Sequence, residues 1–272
     1  MINNKILLHA DDFGRSAEIS KNILKCLEHG CLNSVSVMVN HDQDSLYKLK
    51  KIEKINIRLH LNLTEIPSIN VENNEFLSDL NFFKLLLPSK SERKIIIKEI
   101  NNQINKFMEI FEPKNLKIDG HEHVHLIPWI HNYLANNYKI FNISEMRNSY
   151  EELMLPRLSD LFNARYLRNF TACILIKFFR LFNKEFEVLS PKFSGLIYSG
   201  MQDEKTLVKT LNFFKKKKIN DFEILIHPGF TTYEEKKFFK KEYFDFYISP
   251  KRKIEYDLCF SKKIKEKLLN NC

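Results

Sequence analysis

Short apolar runs alternate with amphipathic segments of helical spacing along the chain, and this alternation limits the fold more than any other feature. The apolar runs are residues 5–10, 34–39, 55–63, 116–119 and 222–226. The first run has no polar alternation, as expected of a strand buried on both faces. Strands that alternate with helices in this way build parallel sheets. We therefore expect a parallel α/β fold, either an open sheet or a closed barrel.

Local signals mark the ends of two helices in this series. Ser16 is a good N-cap for a helix after the first apolar run, and Gly30 supplies its stop. Residues 91–111 have the pattern of a long amphipathic helix that ends at Pro113. The basic, aromatic segment after the last apolar run is expected to add one final helix. Since no repeat or low-complexity linker interrupts the series, residues 1–272 are expected to form a single catalytic domain.

The composition is that of a folded protein without export or membrane-spanning signals. With 44% hydrophobic residues the chain can bury a substantial core. The five cysteines form no CxxC pair, which indicates reduced thiols in a cytoplasmic protein. The start of the chain lacks a signal-peptide pattern, and the longest apolar stretch, residues 170–179, is too short to span a bilayer. Because the net charge of +9 is spread along the chain, no nucleic-acid partner is expected.

Polar side chains stand at the ends of the predicted strands. Asp11, Asp12, His60, His121 and His227 each lie at, or just past, the end of an apolar run. The carboxyl ends of parallel strands share one edge of an α/β fold, and such folds place their active sites there. We therefore expect these five residues to belong to one site.

Two adjacent carboxylates follow the first strand. Like charges side by side resist ionisation, and a divalent cation would resolve that conflict. If one of Asp11 and Asp12 binds a metal ion, the other can act as a general base on the metal's water. The alternative is that one of them simply caps the following helix.

Residues 121–125 (HEHVH) place three imidazoles within five residues, a common source of metal ligands. The spacing leaves the choice among them open. An extended segment would put His121, His123 and His125 on one face, whereas a helix would pair His121 with His125. The alternative is a group of surface histidines without a ligand.

His60 by itself would more often be a hydrogen-bonded core residue than a ligand. Together with the Asp pair and the histidine cluster, it completes a set of one Asp and two His with open positions, which is typical of a catalytic metal. His227, before Pro228 and Gly229, is then a candidate proton donor, or else a turn residue. The chain contains no GxSxG, GxxxxGK[ST] or GxGxxG motif, so metal-assisted hydrolysis is the favoured reaction class.

Four motifs together resemble a known family. Residues 10–14 (ADDFG), 60–64 (HLNLT), 119–125 (DGHEHVH) and 227–229 (HPG), in that order, are similar to those of the YdjC-like carbohydrate deacetylases. The resemblance extends over most of the chain. It implies a distorted (β/α) barrel of the glycoside hydrolase/deacetylase type that removes an acetyl group from an N-acetylated sugar.

The resemblance also implies roles for individual residues. Asp11 would be the base, while Asp12, His60 and His121 would bind one divalent metal ion. Mg²⁺ or Zn²⁺ is expected, and Mn²⁺ or Co²⁺ would also suit these ligands. His227 would donate a proton to the departing amine.

Substrate contact is assigned to Arg147, which resembles an arginine that approaches the substrate or braces the site, and to His125. The sequence departs from the family at Glu122, where a histidine is often found. That departure bears on the groups around the metal and hence on metal preference.

Other functions remain open at this point. A phosphoesterase or another amidohydrolase could use the same residues, although a second full ligand set for a two-metal site is lacking. A basic protein that binds membranes or nucleic acid is a further alternative. Residues 165–186 combine aromatic, aliphatic and basic side chains as a helix at a membrane interface does, which would suit a glycolipid substrate at the cytoplasmic face. A buried helix face that covers the barrel is the commoner use of that pattern. A homodimer is left open.

Overall fold

The computed structural model describes residues 5–65, 75–151 and 158–269. Within them lie seven strands: β1 (Lys5–Phe13), β2 (Ser34–Val37), β3 (Asn56–Leu61), β4 (Leu116–Gly120), β5 (Ile143–Met146), β6 (Lys192–Ser194) and β7 (Asp221–Ile226). All neighbours are parallel, in the order β5-β4-β3-β2-β1-β7-β6. The sheet curls until Leu189, just before β6, makes a parallel bridge to Glu145 of β5. The predicted distorted (β/α) barrel is confirmed.

Helices connect the strands and flank the sheet. They are α1 (Ala17–His29), α2 (Gln43–Lys50), α3 (Glu75–Ser78), α4 (Phe82–Leu86), α5 (Lys90–Phe111), α6 (Pro128–Asn136), α7 (Ala164–Phe179), α8 (Glu204–Lys216), α9 (Lys241–Tyr247), α10 (Pro250–Leu258) and α11 (Lys262–Leu269). The expectation of one final helix was wrong, because three follow β7 in the described residues. Pro250 cannot continue α9, and Ser249 caps a new helix there.

Capping explains why α1 and α5 begin and end where they do. Ser16 accepts a hydrogen bond from the Ile19 amide, and the Gly30 amide donates to the last turn of α1. Ser89 and Glu92 form a reciprocal capping box at the start of α5. Both helices therefore match the sequence-based expectation to within about one residue.

The barrel interior is charged at its centre. Arg58 of β3 is fully buried and pairs with Glu145 of β5 and with Glu223 of β7. Such groups are costly to bury unless every charge has a partner. Here the two carboxylates and one guanidinium join three strands across the barrel, directly beneath the edge where the strands end.

A β-bulge ends β1 and sets the direction of the Asp pair. The register with β2 shifts between Ala10 and Phe13, so that one extra residue is inserted in β1. Asp12 takes a left-handed backbone conformation with φ 69°. Successive residues of a regular strand point to opposite faces, whereas the bulge brings both carboxylates to the same edge.

α7 covers the barrel with one face, as the commoner reading of residues 165–186 predicts. Tyr166, Cys173 and Ile176 on that face are buried. None of the described helices is long and apolar enough to cross a bilayer. The cysteines Cys26, Cys31, Cys173 and Cys259 are free thiols, and Cys272 lies outside the described residues.

Candidate metal centre and active site

Asp12 lies at the centre of a cluster with His60 and His121. Its Oδ1 is 3.1 Å from His121 Nδ1 and 3.6 Å from His60 Nε2. All three side chains are buried. One ligand atom from each lies within 4.8 Å of the others, which is close enough to hold one metal ion. The structure therefore brings together the three residues predicted as ligands.

Further carboxylates orient both imidazoles of this cluster. Asp119 Oδ1 lies 2.6 Å from His60 Nδ1, and Glu65 Oε1 lies 3.0 Å from His121 Nε2. Histidines that bind metals commonly donate their other ring N–H to such a carboxylate, which fixes the tautomer. The remaining nitrogen of each ring then faces Asp12.

His60 Nε2 is a buried nitrogen without a hydrogen bond in the part of the chain that the structure describes. A buried polar atom left in that condition is costly unless a ligand completes it. One carboxylate and two imidazole nitrogens form a donor set that suits a divalent cation. The residues present therefore fit a metal ion.

The electrostatics of the cluster favour positive charge. Burial lowers the pKa of His60, but the carboxylates of Asp11 and Asp119 outweigh it and raise that pKa to about 9. At His121, burial also lowers the pKa, but hydrogen bonds to Asp12 and Glu65 outweigh burial and raise that pKa well above its ordinary value. Without a metal ion, both imidazoles therefore hold protons that a divalent cation would replace.

Arg147 holds both carboxylate oxygens of Asp11. Its Nη1 and Nη2 donate to Asp11 over 3.0 Å and 2.8 Å, its Nε donates to Glu223, and Nη2 lies 2.9 Å from Asp119. Burial raises the pKa of Asp11, but the charges of Arg147 and His60 outweigh burial and hold it well below its usual range. Asp11 is therefore ionised and fixed, 3.9 Å from His60 Nε2. Since Arg147 is only 1% exposed, it braces the site from within.

The histidine cluster adopts neither of the two expected conformations. Residues His121–Leu126 form a tight 3₁₀ turn in which Glu122 and His123 have left-handed backbones with φ 50° and 57°. The imidazoles diverge as a result. His123 Nδ1 lies 2.9 Å from Ser149 Oγ, and buried His125 donates from Nε2 to the Arg147 carbonyl over 2.8 Å.

His227 stands at the end of β7 and is held by α10. Its amide donates to the Glu255 carboxylate, whose Oε2 is 3.8 Å from His227 Nδ1. One turn earlier on α10, Arg252 donates from Nη2 to Asp12 Oδ2 over 3.0 Å. Arg252 and Glu255 are both fully buried. The same helix therefore contacts the predicted metal ligand and the predicted proton donor.

Sequence reasoning left several of these contacts without a role. Asp119 and Glu65 carried a signal, since Asp119 opens the motif at 119–125 and Glu65 directly follows the motif at 60–64. Arg252 and Glu255 carried none. They lie in a basic surface-like segment, and only the docking of α10 turns these two side chains inward.

Comparison with known proteins places the chain in a family. The sequence profile of the YdjC-like protein family matches residues 5–270. The chain belongs to the YdjC-like family. A solved structure from Enterococcus faecalis V583, described as a candidate cellobiose-phosphate cleavage protein, superposes on this YdjC-like chain with a TM-score of 0.67. The superposition covers 98% of this chain and 94% of the chain from Enterococcus faecalis, at 17% sequence identity, which shows a shared fold.

Several curated relatives of this YdjC-like protein are named as deacetylases. A "Carbohydrate deacetylase" of Danio rerio is 27% identical over 157 residues, 53% of this chain and 49% of the relative. A "Chitooligosaccharide deacetylase" of Proteus mirabilis is 24% identical over 237 residues, 83% of this chain and 81% of the relative. The matched part thus spans about half the length of the first relative and most of the second.

Proposed function

We propose that this YdjC-like protein is a metal-dependent hydrolase that removes the N-acetyl group from an N-acetylated amino sugar and releases acetate. One observation carries the proposal: His60 Nε2, which has no hydrogen bond among the described residues, faces the Asp12 carboxylate beside ionised Asp11. The names of the relatives support a carbohydrate as substrate. We propose that it is an N-acetylated oligosaccharide or a lipid-linked glycan. We assign this activity to a single catalytic domain over residues 1–272.

Asp12, His60 and His121 would hold one divalent ion. When bound, such an ion polarises the acetamide carbonyl and lowers the pKa of a water molecule from 15.7 toward roughly 7. Carboxylate and imidazole ligands accept Mg²⁺, Zn²⁺, Mn²⁺ or Co²⁺. The electrostatics support this role, because the surrounding carboxylates raise the pKa of both imidazoles and so favour a positive charge at the site.

The chain's own residues would carry the proton transfers. Asp11 would accept the proton of the attacking water, which a bound divalent ion would make more acidic. Arg147 would keep Asp11 ionised and oriented, with His125 holding the Arg147 backbone. His227 would protonate the amine as the bond between the carbonyl carbon and nitrogen breaks, giving acetate and a free amino sugar.

A two-metal phosphoesterase is less well supported by the same geometry. A second cluster, formed by His9, Asp11 and Asp119, also has the spacing of a metal site. The negative charge of this second cluster is already balanced, because Arg147 forms ion pairs with both of its carboxylates. The His9 ring nitrogens lie 2.6 Å from the hydroxyls of Ser34 and Ser36. We therefore favour chemistry at one metal ion.

Acetate release from an N-acetylglucosamine oligosaccharide tests the proposal. We expect release that stops with chelator, returns with a divalent ion and falls about 10²–10⁴-fold in Asp11→Asn. His60→Ala should lose the bound metal, whereas His29→Ala, at an exposed histidine of α1, should behave as wild type. Activity that survives chelation, or a chain that binds no divalent ion, would contradict the proposal.

We further infer a cytoplasmic setting from the cysteine pattern of the sequence. Thiol titration of protein purified without reductant checks that inference. Disulfide-linked protein from freshly lysed cells would count against it.

A further inference from the structure

α7 is apolar on two opposite faces, and only one of them is covered. The face that packs on the barrel carries Tyr166, Cys173, Ile176 and Phe179. With 3.6 residues per turn, Leu167, Ile174 and Phe178 lie on the opposite face. Leu181 and Phe182 extend this second face just past the helix end. The outward face of a helix that packs on a core is ordinarily polar, so this second apolar face is unusual.

The second face, here called the outer apolar patch, comprises Leu167, Ile174, Phe178, Leu181 and Phe182. All five side chains are exposed, with Leu181 at 77% and Phe182 at 56%. The rings of Phe178 and Phe182 contact each other, with centroids 5.2 Å apart, so the patch is continuous across the helix end.

Cations flank the outer apolar patch on both sides. Helical spacing places Arg168 about 100° to one side of the apolar stripe and Lys177 about 80° to the other. Both are exposed. Past the helix end, Arg180 lies over the Tyr150 ring and Lys184 donates to Asn136, so Arg168 and Lys177 are the cations that border the stripe. α7 itself contains no acidic residue. An apolar stripe between rows of cations is the pattern of a helix that lies in the plane of an anionic membrane.

We propose that the outer apolar patch docks this protein onto an anionic lipid surface. Charge complementarity favours lipid over a second copy of the chain, because two copies related by a two-fold axis would bring identical cations together. The proposal does not rest on the deacetylase activity, since membrane contact and catalysis involve different residues.

The first turn of α7 links this surface to the candidate active site. Arg165 donates to the Gly200 carbonyl and lies 5.6 Å from the Phe246 ring, and Phe246 lies 5.6 Å from the His227 ring. The helix that carries the outer apolar patch therefore also contacts the wall of the candidate active site.

Flotation with vesicles tests the proposal. We expect the wild-type protein to float with vesicles of phosphatidylcholine and phosphatidylglycerol, and to stay at the bottom with phosphatidylcholine alone. Arg168→Glu with Lys177→Glu should weaken partitioning roughly tenfold or more. Lys94→Glu with Lys98→Glu, the same charge change on exposed positions of α5, should not.

A second pair of variants separates apolar contact from charge. Leu181→Ser with Phe182→Ser should abolish flotation, whereas Phe83→Ser with Leu87→Ser, on equally exposed apolar positions near α4, should leave it unchanged. Circular dichroism melts of all variants confirm folding. The proposal would be overturned if the wild type did not float, or if both members of a pair lost flotation equally. A dimer that the patch variants convert to a monomer would also overturn it.

Discussion

Arg252 donates a hydrogen bond to Asp12 over 3.0 Å, although the two residues are 240 positions apart in the chain. The bond engages Oδ2 and leaves Oδ1 facing His60 and His121. The Arg252 guanidinium is itself stacked on Phe246 and Tyr247, at 4.1 Å and 4.4 Å from the ring centroids. The orientation of the candidate metal ligand therefore depends on helix α10, far from Asp12 in the chain.

Arg252→Met should weaken metal binding by about 10–100-fold, the effect usual for groups that orient a metal ligand. The reason is that Asp12 loses the donor that fixes its rotation. Isothermal titration with Zn²⁺ or Mn²⁺ measures the change, and Lys251→Met, at the exposed neighbouring position, is the control. Equal metal affinity in the two variants would show that Arg252 does not position Asp12.

Metal affinity should rise with pH up to about 9. His60 has a raised pKa of about 9 in the metal-free protein, so below that pH the metal must displace its proton. Binding should release at least one proton at pH 7, which titration in buffers of different ionisation enthalpy measures. In Asp119→Asn the His60 pKa should fall, and the pH dependence should move to lower pH with it. Binding without proton release at pH 7 is the contrary outcome.

The same pKa shift sets a stability window for the metal-free protein. The pKa of His60 is higher in the folded protein than in the unfolded chain. Its contribution to the free energy of unfolding is therefore fully present below the unfolded pKa of about 6.5 and is lost as the pH rises through about 9. Glu65, whose pKa is lowered to about 2, contributes above its unfolded value of about 4.3 and loses this as the pH falls toward 2. Urea unfolding with chelator should therefore show weaker stability at pH 9.5 than at pH 6. A rise in stability over that interval would contradict this assignment.

Arg58→Met should destabilise the fold by about 3–5 kcal/mol, because it leaves Glu145 and Glu223 buried without their shared cation. Lys98→Met, at an exposed position of α5, should change stability by no more than about 0.5 kcal/mol. Urea denaturation curves of the two variants provide the comparison. A loss below about 1 kcal/mol at Arg58 would mean that the carboxylates are protonated or solvated there.

Local patterns in the sequence predict much of this fold. Ser16 and Gly30 bound α1 through contacts within a few residues of each other, and such signals are readable without tertiary structure. The strand-end rule brings Asp12, His60 and His121 to one edge, as predicted. The short strands β5 and β6 were not predicted, because their sequences, ISEM and KFS, contain no apolar run.

The features of the site that the sequence did not predict depend on contacts between residues far apart in the chain. The direction of each imidazole in residues 121–125 follows from left-handed backbones at Glu122 and His123, which neither residue type requires. The roles of Arg252 and Glu255 follow from where α10 docks. In an isolated helix both would read as solvent-facing charges, so no local rule could have selected them.

The bulged end of β1 has a cost for the protein that carries it. Asp12 holds a left-handed backbone, φ 69°, that aspartate adopts less readily than asparagine or glycine, and such conformations store about 1–3 kcal/mol. Because the proposed metal ligand is also the strained residue, a substitution that relieved this strain would remove a ligand. A more heat-resistant variant of the protein must therefore gain its stability at other positions.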